Sequence, residues 1–497
     1  MSRQVRLGPL CLVAGFLFLV LSDIWTTSFS SVSIVHQGVP PHPRLLDRIG
    51  RGEVKLPPWP TVPRSLRSVE QSKRMPQGLT GAVNVLVALV DFNDNVHTVT
   101  PTFFDSLVFA PPVSGRGSVR DYYGEISYGQ VDVVTLNLPS GLGWRSAVSN
   151  YAYYVNGNYC EGNYPQNCEK LAEEVIDALH LVGVDFSNYD NNHDGFAESV
   201  IILHAGPGAE FTGNPNDVWS HSSVLPNPRS YDGVTIRNYI MVPEYWETVS
   251  PSTSDMTIGV IAHEMAHSFW DAGDLYDADL SSWGIGSWSL MSSGVWNGPN
   301  RMGASPAWPD AWNRVKMGFI TPTNVSANIV GKNIPQVYDN PSAQTVFRLR
   351  STTLGSQEYF LLENRQQVQG SYDEYLPGNG LFIWHVDESV NTGNNNECKI
   401  EPHYLCPNNH YLVALEQADG QRHLENKGLR DDPGDPFPGA SNNRNWTMST
   451  NPESSSWYTS TNSCIKVTND SDSGATMTVD LQVACFFYYL PHILRTH

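Results

Sequence analysis

Positive charge, cysteine and long apolar runs are all scarce in this chain. Lys and Arg number 30 against 50 Asp and Glu, a formal charge of −20. Nucleic acid and anionic membrane surfaces repel such a chain, so neither is expected as a partner. Cysteines number seven in 497 residues, and no CxxC pair occurs, which speaks against a cysteine zinc cluster. There is no G-x-S-x-G elbow and no phosphate-binding glycine loop. Beyond residue 30 no stretch is long and apolar enough to cross a bilayer. The tail, residues 485–497 ("CFFYYLPHILRTH"), is too short and contains Pro491.

What is present points to a large, turn-rich fold. The length suits two or three domains with a sizeable core. Aromatics at 11%, with 40 Gly and 34 Pro, favour strands and turns over a helical bundle. Residues 1–30 differ from the rest. Arg3 and Arg6 precede the apolar run "LGPLCLVAGFLFLVLSDIW", and small polar residues follow. That order reads as a cleaved secretory signal, with an uncleaved anchor as the alternative. Secretion agrees with the six cysteines outside the signal, an even number suited to disulfides. Their clustering predicts three local bridges: Cys160–Cys168, Cys398–Cys406 and Cys464–Cys485. Asn324, Asn445 and Asn469 each open a glycosylation sequon.

Residues 31–80 are rich in Pro, Arg and Ser, lack periodicity, and read as a pro-segment or linker, with Lys73-Arg74 as a processing point. "AVNVLVALVDF" (82–92) is the first core strand, and "ESVIILHAG" another. "SVRDYYGEISYGQ" is helical and then turns, and "NCEKLAEEVIDALHLVG" is a helix ending at Gly183. Past residue 340 strand-like runs alternate with turn clusters, which predicts a β-rich module.

The chemistry concentrates in "IAHEMAHSFWDAGDLYD", residues 261–277. His263 and His267 are four apart, so on a helix they share one face and can reach one ion. Glu264 stands beside the open position, where it can take a proton from metal-bound water. This is the metalloprotease arrangement of H-E-x-x-H on a helix. By chance the motif is expected in roughly 2 of 100 such chains, so it needs support from its surroundings. For the third ligand, Asp271 lies eight residues past His263, about 12 Å along the axis if the helix continues. The chain must bend first. Gly273 is the natural left-handed stop, and Asp274 just beyond it is favoured, with Asp271 as the alternative.

Downstream stands "GIGSWSLMSSGVWNG". With the histidine motif, it resembles the M6 family of secreted metallopeptidases, the immune inhibitor A type. Further segments are similar in the family's order, including "VNVLVALVDFND", "VWSHSS", "EYFLLENRQ", "LPGNGLFIWHVDE" and "GDPFPG", over about residues 80–482. The resemblance implies that Met291 forms a methionine turn beneath the metal. It departs at Trp270, where the family usually has Gly, and "DLYD" falls one residue late.

"DNNHDGFAE" offers oxygen donors at Asp190, Asn192, Asp194, the Phe196 carbonyl and Glu198, an EF-hand-like half site for calcium. Its alternative is an Asx-rich turn. His385, Asp387 and Glu388, and likewise Glu416, Asp419 and Asp435, are weaker candidates for ion sites. Tyr276 could hydrogen-bond an oxyanion.

The expectation is an α+β protein. Residues 1–30 are a signal, 31–80 a pro-segment, 81–335 a metzincin-like zinc-peptidase domain, 336–484 a β-rich, sandwich-like module and 485–497 a tail. It is a secreted, monomeric zinc endopeptidase acting on proteins or peptides, with Glu264 as general base and acid, catalytic zinc and structural calcium. No cysteine lies between Cys11 and Cys160, so a cysteine latch from the pro-segment is excluded. The rival is a non-catalytic, calcium-stabilised binding or adhesion protein on the same scaffold.

Overall fold

The computed structural model describes residues 38–56, 78–112, 117–277, 280–338, 340, 344–351, 353, 354, 357–390, 411–428, 430, 432–457 and 463–484, with the backbone of 33–34 and 62–63. The signal, Lys73-Arg74, Cys398, Cys406, Cys485 and the tail lie outside these residues.

Within the stretch that reads as linker, residues 43–50 form helix α1 (Pro43–Gly50). Pro43 occupies its first turn, and the His42 ring accepts the Arg44 N–H at its N-terminus. The run 82–92 is not one strand. Gly81–Asn84 pairs with Val131–Val134, and β1 (Leu86–Asp91) enters a different sheet. The break falls at Val85, whose N–H still bonds Val134 O.

Helix α2 (Val119–Ile126) starts at Ser118, whose hydroxyl accepts the Asp121 N–H. Strand β2 (Trp144–Ser146) follows. Then comes α3 (Cys168–Leu181), capped by Asn167, and the chain turns at Gly183 with φ 88°. β3 (Phe196–Pro207), β4 (His221–Tyr231) and β5 (Val234–Tyr245) complete a sheet of order β2-β1-β3-β5-β4. All its pairings are parallel except β4 with β5, so β4 is an antiparallel edge.

The sheet is covered on both faces, which is why β1 is a continuous apolar run. Val87 and Leu89 join one core with Ile261 and Met265 of helix α4 (Ile258–Trp270) and with Tyr123 of α2. Leu86, Ala88 and Val90 join another with Leu171, Val175 and Leu179 of α3. Helix α4 is buried all round except at Ser268, so it reads as a core helix rather than an amphipathic one.

Helix α5 (Ala311–Lys316) leads into the β-rich half. Its strands are β6 (Thr323–Val325), β7 (Ile329–Pro335), β8 (Val346–Leu349), β9 (Glu358–Arg365), β10 (Gly380–Asp387), β11 (Val413–Leu415), β12 (Asn445–Trp446), β13 (Lys466–Thr468) and β14 (Thr476–Gln482). They make two sheets, β6-β8-β9-β10-β11 and β7-β14-β13-β12. Along β9, Phe360 and Leu362 pack with residues of the second sheet, while Tyr359 and Leu361 pack with α5 and with Leu275 and Trp288. Period-two alternation therefore ties the first sheet to both halves. The protein as a whole is mixed α and β.

Candidate metal centre

Helix α4 carries the histidines, and its C-terminus decides the third donor. The helix stops at Asp271, which takes the left-handed conformation (φ 55°, ψ 30°). The Asp271 N–H donates to His267 O (3.1 Å), the bond of an αL helix stop, and the Ala272 N–H donates to Ala266 O (3.0 Å). The expectation that Gly273 makes this turn is corrected, because its φ is not positive. Gly273 is needed for close approach instead, since a Cβ there would stand 3.1 Å from the Trp312 ring. The late position of "DLYD" follows from the same bend. Trp270 is the last residue of the helix, stacks on Tyr123 at 4.5 Å and donates to Leu79 O (3.2 Å). Asp274 then falls three residues past the left-handed residue, the spacing the family pattern has between its Gly and Asp.

Asp274 is held from both sides. Asn313, buried on α5, accepts the Gly273 N–H (2.8 Å) and donates to Gly273 O (3.1 Å). The Leu275 N–H donates to Met291 O (2.8 Å). Asp310 caps α5 and receives the Asn313 amide (2.8 Å), locking that side chain. No motif in the sequence pointed to Asn313 or Asp310.

His263 Nε2, His267 Nε2 and Asp274 Oδ1 converge. The two nitrogens are 3.3 Å apart, and the oxygen is 3.2 Å from His263 and 3.1 Å from His267. Each Nδ1 faces a carbonyl and so donates: His263 to Leu290 O and His267 to Ala272 O, both 2.9 Å. That leaves the Nε2 atoms aimed at the shared centre, as outer partners do for metal-bound histidines. Tetrahedral zinc with bonds of 2.0–2.1 Å has ligand–ligand edges of about 3.3–3.4 Å, close to these separations. Neither Asp274 oxygen receives a hydrogen bond, though the residue is buried. Burial opposes charge on both partners, yet His267 is shifted up by Asp274 and Asp274 down by the two histidines. The centre favours a positive charge, and a divalent cation satisfies all three donors at once. The residues fit the metal.

Glu264 is buried, and neither of its oxygens has a hydrogen-bond partner. Burial, then Asp274 and Glu210, push its pKa well up. Met291 is buried next to Leu290, whose carbonyl orients His263. Asp271 points away, 3.3 Å from Lys316 Nζ and largely exposed. Tyr276 donates its hydroxyl proton to Gly38 O.

The other candidates are not brought to this centre. Asp190 accepts the N–H groups of Asp194 and Gly195, Asn192 accepts from Asp194, and Asp194 accepts from Phe196. Glu198 accepts from Asn191. That is the bonding of an Asx-rich turn, and it gives calcium no support. His385 lies between Glu358 (2.9 Å) and Glu416 (3.1 Å) and stacks on Trp457, a satisfied polar cluster. Asp387 accepts the Ser389 N–H, and Glu388 accepts from Trp312 and Tyr359. Asp419, His423 and Asp432 form a second, partly exposed group. Cys160 and Cys168 form a disulfide. Cys464 is disulfide-bonded as well, and its expected partner lies outside the described residues.

Residues 75–320 match the family described as immune inhibitor A peptidase M6, catalytic domain. The pre-pro-metalloprotease PrtV of Vibrio cholerae serotype O1 is 29% identical over 262 residues, 43% of this chain and 27% of that protein. Immune inhibitor A of Bacillus thuringiensis subsp. alesti is 32% identical over 163 residues, 27% of this chain and 22% of that one. The chain thus spans about a quarter of the length of the curated relatives it matches.

Proposed function

This chain belongs to the M6 family of immune inhibitor A peptidases, and from that premise we propose that it is a secreted zinc-dependent endopeptidase. The observation that carries the reading is the meeting of His263, His267 and Asp274 beside a buried, partnerless Glu264. A scaffold kept only for binding has no use for such a carboxylate, whose burial is costly.

In this reading His263, His267 and Asp274 hold zinc, with Met291 packed beneath. Bound zinc supplies a Lewis acid and lowers the pKa of a coordinated water. Glu264 takes the proton from the attacking water and gives it to the leaving amine. The Leu290 and Ala272 carbonyls keep both imidazoles in one tautomer. Tyr276 donates to the carbonyl oxygen of the bond being cut. The substrates are proteins or peptides in extended form. Residues 1–30 act as a signal and 31–80 as a pro-segment. Residues 81–335 form a metzincin-like catalytic domain, 336–484 a sandwich-like module and 485–497 a tail. Calcium forms no part of the proposal.

The test uses protein recovered from culture medium. Elemental analysis should find about one zinc per chain, and casein hydrolysis should stop with a zinc chelator and return with zinc. Glu264→Ala should keep the zinc and lose activity by at least about a hundredfold. Folded protein that neither contains nor takes up metal ends the reading, as does full activity in Glu264→Ala.

A further inference from the structure

The β-rich half holds a cavity of about 420 Å³ against edge strand β11, within the size range of small-molecule sites. Glu416, Glu425 and Glu453 line it, and so does Arg422. His385 and Trp457 line it as a stacked pair, their ring centres 3.5 Å apart. Glu358 takes His385 Nε2 (2.9 Å) and Glu416 Oε1 takes Nδ1 (3.1 Å), and these two carboxylates hold the ring's pKa up against burial. Even with His385 protonated, four carboxylates stand here against two cations. Glu425 gives Oε2 to the Gln417 amide (2.8 Å), so it and Glu416 each keep a second oxygen. Burial pushes the Glu425 pKa up against the pull of Arg422 and Gln417, so its charge is undercompensated. Tyr411 also lines the cavity. It is 3% exposed, and its hydroxyl has no hydrogen-bond partner. A buried polar atom left in that state is costly unless something meets it.

We propose that this cavity binds a protonated primary amine on an aliphatic stem, the chemistry of a lysine side chain. An ammonium carries three donors and no acceptor. Glu416, Glu425 and the Tyr411 oxygen accept them, and the stem lies along the Trp457 ring. The excess of carboxylates repels an anion, and a neutral sugar leaves the Glu425 charge uncompensated. A bare metal ion does not fit, because among the described residues the donor groups that converge within 4.8 Å lie elsewhere. Two sources offer the same amine. A free amino acid brings an α-carboxylate as well, which the exposed Arg422 guanidinium pairs with. A side chain on a polypeptide brings none, and makes the cavity a contact between the β-rich half and a protein ligand. The inference goes beyond the peptidase reading and does not depend on it, since none of these residues belongs to the His263–His267–Asp274 centre.

The test uses the full-length chain and Nα-acetyl-L-lysine N-methylamide, titrated by calorimetry, with saturation-transfer NMR as a second readout. The probe should bind saturably, one per chain, with its ε-methylene protons the most strongly saturated. Nα-acetyl-L-norleucine N-methylamide keeps the stem and lacks the amine, and should bind about tenfold more weakly or less well still. Glu425→Gln keeps an acceptor for Gln417 and removes the charge. It should weaken the lysine probe about tenfold or more and leave the norleucine probe unchanged. If Glu425→Gln does not fold, Ser455→Phe, which fills the cavity from its lining, should abolish binding of the lysine probe. Free L-lysine then identifies the source. Tighter binding than the capped probe, lost in Arg422→Ala, assigns the cavity to a free amino acid, and equal or weaker binding assigns it to a side chain on a polypeptide. Three results overturn the proposal: no saturable binding of the lysine probe, equal affinity for the lysine and norleucine probes, or a lysine affinity that neither Glu425→Gln nor Ser455→Phe changes.

Discussion

Asp470 is buried, and neither of its carboxylate oxygens has a hydrogen-bond partner. Burial pushes its pKa up to about 8, against 3.8 for an ordinary aspartate, and Arg444 offsets only part of this. A carboxyl with a higher pKa folded than unfolded binds its proton more tightly when folded. Stability therefore falls as pH rises between these two values, by up to about 1.4 kcal/mol per pH unit. Asp470→Asn should flatten that fall, so that wild type and variant differ more at pH 8 than at pH 5 in urea unfolding. An identical pH dependence in both would show that the carboxyl is solvated after all. Asn313 acts at the same scale in another way. It touches none of the candidate ligands, yet its two bonds to Gly273 fix where Asp274 begins.

At the scale of elements, the end of α4 decides which aspartate faces the histidines. A non-glycine residue in the left-handed region costs about 1–2 kcal/mol. The exposed pair that Asp271 makes with Lys316 is worth at most about 1 kcal/mol. Asp271→Gly should therefore be neutral or stabilising by up to about 1 kcal/mol, with zinc content and hydrolysis unchanged. Asp274→Ala should lose the zinc. Metal loss in Asp271→Gly, with retention in Asp274→Ala, would reverse the assignment. The helix and its two histidines were legible from the 261–267 spacing alone. The bend was read at the wrong residue because glycine signals a stop, whereas here glycine was required by the Trp312 ring.

At the scale of the whole molecule, the two halves are joined by buried charge and shared core. Arg314 on α5 pairs with Glu363 on β9, both fully buried, and Trp384 donates to the same carboxylate (2.8 Å). Arg365 on β9 bonds Asp373 and the Trp308 carbonyl. Removing one member of a buried pair leaves an uncompensated charge and costs about 3–5 kcal/mol. Arg314→Ala should therefore lower the melting temperature of the entire protein in one calorimetric transition. A separate transition that keeps the wild-type temperature would mean that the halves unfold independently.

The sequence by itself determined the histidine pair with the glutamate between them, the likeness to the M6 family and the β-rich texture past residue 340. These are local, since spacing on one helix or alternation along one strand carries them. Only the tertiary structure decided what is built from distant pieces. It set Gly273, and with it the start of Asp274, against Asn313 forty residues away, and laid Gly38–His42 against β4. Such contacts depend on which backbone groups meet across the fold, and no periodicity in the chain encodes that.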